Sequence, residues 1–372
     1  MHDFIPVNEP LLIGNEKKYL EKCIDTGWIS SEGPFVKKFE TEFAKKVTRK
    51  YGISVCNGSV ALDVAVAALG IAPGDEVIMP TFTIISCAAA IVRAGAIPVL
   101  IDSDKDTWNM DVKQIEAKLT KRTKAIMAVH IYGLPVDMNP IIQIAEKHNL
   151  FIIEDAAEVI GQTYYDKQCG SFGDISVFSF YPNKHITTGE GGMVVTDNEK
   201  IAEKCQSLRN LCFQPQQRFL HEDLGWNFRF SNIQAAIGVA QLERLDKNIN
   251  RKREIGVRYL NNLKELSSVQ LPQLNTDCAE NIFWVFGVVL KDKTFPDAVN
   301  IMDILKTKNL GTRPFFWPMH EQPVFHKMGL FQNESHPISE NIARNGFYIP
   351  SGLAITNEQI DIVSDALLEL FD

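Results

Sequence analysis

The sequence predicts an α/β fold built on a mostly parallel mixed sheet, followed by a smaller C-terminal α+β domain. Three features carry this expectation. From about residue 50 to residue 155, short Val- and Ile-rich runs alternate with segments of helical periodicity. That alternation belongs to strands buried on both faces and covered by crossover helices. Two further apolar runs, 175–180 and 192–196, come next. Beyond them a long helical stretch leads into a region where one apolar run stands among helices.

In chain order, a helix before Gly27 and another over 35–47 precede the sheet. Residues 52–56 read as a strand and 59–69 as a helix stopped by Gly70. Strands over 76–79, 97–101, 124–129 and 151–154 alternate with helices over 84–93, 112–119 and 141–148. A helix over 199–208 follows the strands at 175–180 and 192–196, and one long helix runs from 231 to about 266. A strand over 282–290, a helix over 297–308 and a last helix over 357–370 complete the chain. The division falls into a large domain of residues 1–245, whose first thirty or so residues can pack on the other part, and a small domain of residues 246–372.

Composition narrows the function classes. Net charge is −8 and the pI about 5.6, whereas a nucleic-acid binder carries a basic face. The cluster Lys45, Lys46, Arg49, Lys50 reads as a solvated helix face. The seven cysteines, at 23, 56, 87, 169, 205, 212 and 278, include no C-x-x-C pair. They suit reduced thiols in a cytoplasm and make no metal site. No signal-peptide pattern opens the sequence, and the apolar stretch 84–101 is broken by Arg93, Gly95 and Pro98, so a cytoplasmic enzyme without membrane or nucleic-acid partners is expected.

Right-handed crossovers place the carboxyl ends of parallel strands on one edge, where open α/β sheets bind ligands. Chemically capable groups fall on the predicted loops of that edge. Asn57-Gly58-Ser59 opens a helix, offering free N–H groups and a hydroxyl to a phosphate. Phe82, just past Pro80, presents a flat face to an aromatic ring. Glu154 and Asp155 end an apolar strand. Ser179 and Lys184 follow another strand and precede Gly189-Glu190-Gly191-Gly192. Singly these are a helix cap, a core aromatic, a strand-end acid, a surface lysine and a hairpin turn. Together, and in this order, they match what pyridoxal 5'-phosphate (PLP) requires. The cofactor needs a lysine that loses its proton readily and condenses with an aldehyde, an anion beside its ring nitrogen, and a phosphate cup.

On these residues the chain resembles the DegT/DnrJ/EryC1/StrS family, nucleotide-sugar aminotransferases of PLP fold type I with an aspartate aminotransferase-like fold. The resemblance spans essentially the whole length. It rests on Gly27-Trp28-Ile29-Ser30, Asn57-Gly58-Ser59, Pro80-Thr81-Phe82-Thr83, His130-Ile131-Tyr132-Gly133, Glu154 to Glu158, Ser179 to Gly192 and Gly225-Trp226-Asn227-Phe228-Arg229. It implies that Lys184 is the Schiff-base lysine and proton shuttle, and that Asp155 pairs with the ring nitrogen. Gly58, Ser59 and Ser179 would hold the phosphate, and Phe82 would stack on the ring. Glu158 stands where many relatives carry glutamine near the ring hydroxyl. Asn227 would reach the phosphate of a partner subunit, making a homodimer with a shared active site. Trp28, Ser30, Arg313 and His320 would meet the substrate.

By the same resemblance the amino donor is L-glutamate. The acceptor is a nucleotide-linked 4-keto-6-deoxy sugar, GDP-linked first and dTDP- or UDP-linked as alternatives, in surface polysaccharide synthesis. A dehydratase branch of the family has histidine in place of the lysine, and His185 adjoins Lys184 here. Anchoring on Gly189-Glu190-Gly191-Gly192 puts Lys184 at the lysine position.

Overall fold

The computed structural model describes residues 3–214, 216–291 and 297–371. Helices α1 (Glu16–Thr26) and α2 (Pro34–Lys46) come first. Then β1 (Tyr51–Val55), α3 (Gly58–Ala68), β2 (Glu76–Pro80), α4 (Ile85–Arg93), β3 (Ile97–Ile101), β4 (Thr123–Val129), α5 (Met138–His148) and β5 (Phe151–Asp155) alternate. A short hairpin, β6 (Thr163–Tyr164) and β7 (Lys167–Gln168), precedes β8 (Ile175–Ser179), β9 (Gly192–Thr196) and α6 (Glu199–Arg209). The large sheet has the order β1-β9-β8-β5-β4-β2-β3. Strand β9 runs antiparallel to both its neighbours, and the β2, β3, β4, β5 and β8 pairings are parallel. Strand β1 therefore points the same way as β8, and six of the seven strands end on one edge. All five residues of β2 and of β9 are buried. Burial on both faces is why these strands read as unbroken apolar runs.

The remaining chain forms α7 (Asn232–Leu242), α8 (Leu245–Leu263), β10 (Val269–Gln270), β11 (Phe286–Leu290), α9 (Ala298–Thr307), β12 (Arg313–Pro314), α10 (Pro323–Lys327), α11 (Pro337–Asn345), β13 (Gly346–Ile349) and α12 (Asn357–Phe371). Its sheet, β10-β11-β13-β12, is antiparallel. Helices α8, α9 and α12 cover it through Ile255, Tyr259, Ile301, Leu305, Ile360 and Leu367, and Ile5 joins this core from the N-terminal segment. Helix α1 instead packs on α7, so the first thirty residues divide between the two cores.

Four expectations are revised. Residues 112–119 form two 3-10 turns, Val112–Gln114 and Glu116–Lys118, and not an α-helix. The segment buries Ile115 alone, and the Gln114 amide is tied to Asp111 and to the N–H of Asp102. Helix α5 starts before Pro140, which sits in the first turn where its missing N–H costs nothing. The long helix over 231–266 is two helices. A Ser231–Gln234 capping box opens α7, and the chain turns at Glu243, whose carboxylate is taken by Asn15 and Tyr19 of the N-terminal region. The strand expected over 282–290 begins only at Phe286. Residues 282–285 dock on loops of the seven-stranded sheet, with the N–H of Ile282 on the carbonyl of Gly133 and the indole N–H of Trp284 on that of Asn183.

Candidate active site

Side chains alternate across a strand, and the neighbouring carboxylates at the end of β5 show it. Glu154 turns into the interior, fully buried. It accepts from Ser176 Oγ and from the N–H groups of Gly170, Phe172 and Gly173, and it meets His130 Nε2 at 3.1 Å. His130 Nδ1 accepts from the N–H of Val136, so the ring proton lies on Nε2, facing the carboxylate. Burial alone would raise the Glu154 pKa, but His130 and these donors hold it down at about 2.

Asp155 points the other way, into a cleft of about 860 Å³ between the strand ends and the second sheet. Its partners are fewer: the N–H of Ala157 at 3.1 Å on Oδ1 and the Cys87 thiol at 3.3 Å on Oδ2. Burial raises its pKa, and these donors with the Lys184 charge only partly offset that.

Lys184 enters the same cleft from the loop after β8. The loop closes on itself: the N–H of Phe180 donates to Gly191, that of Thr188 to Phe180, and that of Lys184 to Tyr181. Gly189 supplies the positive φ, +80°, that this closure needs. The ammonium lies 3.7 Å from Glu158 Oε1 and 3.7 Å from the centroid of the Trp284 ring. Burial pulls the Lys184 pKa down. It pushes that of Glu158 up to about 7, while Glu158 Oε2 is fixed by the N–H of Tyr132 at 2.9 Å. His185, one residue on, faces away. Its Nε2 is on the Ile282 carbonyl and its own carbonyl accepts from Asn248. Burial, with the Lys252 charge, takes its pKa down to about 3.

At the other end of the cleft, Asn57 caps α3 by accepting from the N–H of Val60. This leaves the first-turn N–H groups of Gly58 and Ser59 without an intrahelical acceptor. Ser59 Oγ lies 2.7 Å from Ser86 Oγ. A Cβ at Gly58 would come within 2.7 Å of Ser179 Cβ, so the glycine is what lets the helix start and Ser179 share one cup.

Not every expected residue reaches the cleft. Gly58, Ser59, Asp155, Glu158, Ser179, Lys184 and Arg313 line it. Phe82 does not: it is 0 % exposed and packed against Tyr132, Phe315 and Phe316 in edge-on or tilted contacts. His320 is likewise internal. Thr81 Oγ1 takes its Nδ1 at 2.8 Å and Glu340 its Nε2 at 3.1 Å, so neither nitrogen is left for a substrate. Trp28 and Ser30 lie on the exposed surface, their carbonyls held by Asn232. Asn227 is exposed too, bridged to Asn210.

Conversely, the cleft includes aromatic residues that the sequence reading missed. Trp284, Phe316 and Tyr348 come from the second sheet and its loops, and burial lifts the Tyr348 pKa to about 12. Asn8 also lines the cleft and donates to the Pro182 carbonyl. The one signal available was aromatic density in Phe283-Trp284-Val285-Phe286 and Phe315-Phe316-Trp317.

These features fit a flat, phosphate-bearing aldehyde with a protonated ring nitrogen. A buried carboxylate has two donors, a lysine is shifted toward its neutral form, and a helix start with free N–H groups lies across the cleft. Comparison with known proteins agrees. The model of the DegT/DnrJ/EryC1/StrS aminotransferase family matches residues 10–368. The chain is 42% identical over 368 residues to GDP-perosamine synthase of Escherichia coli O157:H7, covering 99% of both. It is 39% identical to the Vibrio cholerae protein of that name, again covering 99% of both. Among solved structures, an aminotransferase from Psychrobacter cryohalolentis superposes with a TM-score of 0.91 at 28% identity, covering 99% of this chain and 98% of that one. DesV of S. venezuelae superposes at 0.88 and 31%, covering 95% and 94%. The chain belongs to the DegT/DnrJ/EryC1/StrS aminotransferase family and is a PLP-dependent enzyme.

Proposed function

We propose that this enzyme moves the amino group of L-glutamate onto C4 of GDP-4-keto-6-deoxy-D-mannose, giving GDP-perosamine. The observation that carries the chemistry is the Lys184 amine, buried between Glu158 and the Trp284 ring in the same cleft as Asp155. The sugar is inferred from near full-length relatives named GDP-perosamine synthase.

When bound, PLP supplies the electron sink for the carbon that gains or loses a proton. In this reading Gly58, Ser59 and Ser179 bind its phosphate and Asp155 faces its ring nitrogen. Lys184 holds the cofactor and then moves a proton at Nζ, a role suited to a pKa lowered by burial. Glu158, titrating at about 7 and 3.7 Å away, exchanges a proton with that amine. The Trp284 ring excludes water from it. Arg313, exposed at the cleft margin, suits the substrate diphosphate.

We also assign the enzyme to a homodimer in which Asn227 completes the partner's phosphate cup. The segment that carries it exposes apolar side chains: Leu224 is 93% and Trp226 37% exposed. Such surface calls for cover.

The test is incubation with PLP, glutamate and, in turn, GDP-, dTDP- and UDP-linked 4-keto-6-deoxy sugars, with the product read by mass. The GDP sugar is expected to give an amino sugar. A deoxygenated product, or turnover of only the other nucleotides, would overturn the assignment. The fully packed His185 already disfavours the histidine-dependent dehydration.

A further inference from the structure

Cys87 takes no part in the mechanism above, yet it is the side chain that touches Asp155 from behind. It lies on the first turn of α4, is 0 % exposed, and places Sγ 3.3 Å from Asp155 Oδ2. Thr83 Oγ1, one turn back, is 3.5 Å from the same sulfur. The proton order in this chain of three groups follows if Asp155 is ionised, as its pairing with a ring cation requires. An ionised carboxylate has no hydrogen to give, so the single S–H points to Asp155, and the Thr83 hydroxyl donates to sulfur. Burial raises the thiol pKa well above its usual value, keeping the proton in place.

Asp155 is thereby gripped on both oxygens, by the Ala157 N–H on Oδ1 and by the thiol on Oδ2. The carboxylate plane is fixed, and its remaining lone pairs are left for the cleft. A thiol is a weak donor. It orients the anion while withdrawing little of its charge, whereas two strong donors would leave a poorer partner for a ring cation, as they do at Glu154.

We propose that Cys87 is a positioning residue of the cofactor pocket, its S–H orienting the Asp155 carboxylate toward the PLP ring nitrogen. The proposal rests on the reading of Asp155 given above.

Two measurements test it. The first uses the cofactor-free protein. An infrared difference spectrum, wild type minus Cys87→Ala, isolates one S–H stretch among the seven cysteines. That band is expected at a hydrogen-bonded frequency, shifting toward the free-thiol position in Asp155→Asn. A band unmoved by Asp155→Asn overturns the proposal. The second is PLP affinity by equilibrium dialysis. Cys87→Ala is expected to bind PLP about fivefold more weakly, the scale of one weak hydrogen bond, in an apo protein that still melts cooperatively. Cys87→Ser, which keeps a donor, is expected to retain most of the affinity. Equal losses in the alanine and serine variants, or no loss in alanine, would reduce the residue to packing. The infrared result needs no cofactor. A wild-type protein that failed to bind PLP would therefore defeat the functional reading and leave the thiol–carboxylate contact standing.

Discussion

Glu154 and Asp155 are adjacent, both buried, and opposite in design. The interior side of β5 surrounds Glu154 with an imidazole, a hydroxyl and three backbone donors, and its pKa falls to about 2. The cleft side gives Asp155 one N–H and one thiol, and its pKa rises. The first carboxylate holds the 170–173 loop in place; the second is left short of partners where a cation is to arrive. Saturation thus separates a structural acid from a functional one on a single strand.

The largest effect should come from the cleft side. Lys184→Ala is expected to lower transamination by on the order of a thousandfold or more, measured as product formed from keto sugar and glutamate. It should also abolish covalent fixation of PLP by borohydride, mapped to the Lys184 peptide in wild type. Asp155→Asn comes next, with activity down about a hundredfold and the cofactor-free protein no less stable. Its raised pKa means that ionisation opposes folding near neutral pH, and the amide removes that opposition. A marked loss of stability in this variant would erase the contrast with Glu154.

Glu154→Gln tests the other side. The folded pKa of about 2 lies below the ordinary 4.5. The stability Glu154 contributes is therefore complete above pH 4.5 and lost as pH falls toward 2, an amount on the order of 3 kcal/mol. Urea midpoints at pH 7 and pH 3 should show the wild type weakening with acid, and the variant weaker throughout with a flatter dependence. The smallest change is expected from Glu158→Gln. In wild type a limb of the kcat/KM profile should fall as pH drops through about 7, where Glu158 titrates, and the glutamine variant should lack that limb while remaining active.

The sheet and the lysine loop were legible because their signals are local. Buried strands announce themselves as apolar runs, and the glycines after Lys184 fix its place in the loop. The helix-start cup was legible for the same reason. Phe82 and His320 fall outside the cleft lining, which their motifs did not foretell, because type and position in a motif do not say which way a side chain turns. Phe82 sits one layer behind the wall, against Phe315 and Phe316, more than two hundred residues away. Trp284 was missed because residues 282–285 continue the apolar run of β11. Only the docking of Ile282 and Trp284 on the carbonyls of Gly133 and Asn183 takes them out of the sheet. Cys87 was visible only as a member of a cysteine count, since its partner lies on another element 68 positions on.

The closed loop from Phe180 to Gly191 has a further consequence. Its cross-links hold both ends, so the number of residues between them decides which of two neighbours, an amine or an imidazole, meets the reactants. Deleting or inserting a single amino acid there would move Lys184 from its place beside Glu158 and at the same time disturb the contacts of His185 with Ile282 and Asn248. Length in this stretch is therefore as strong a constraint on the reaction as composition.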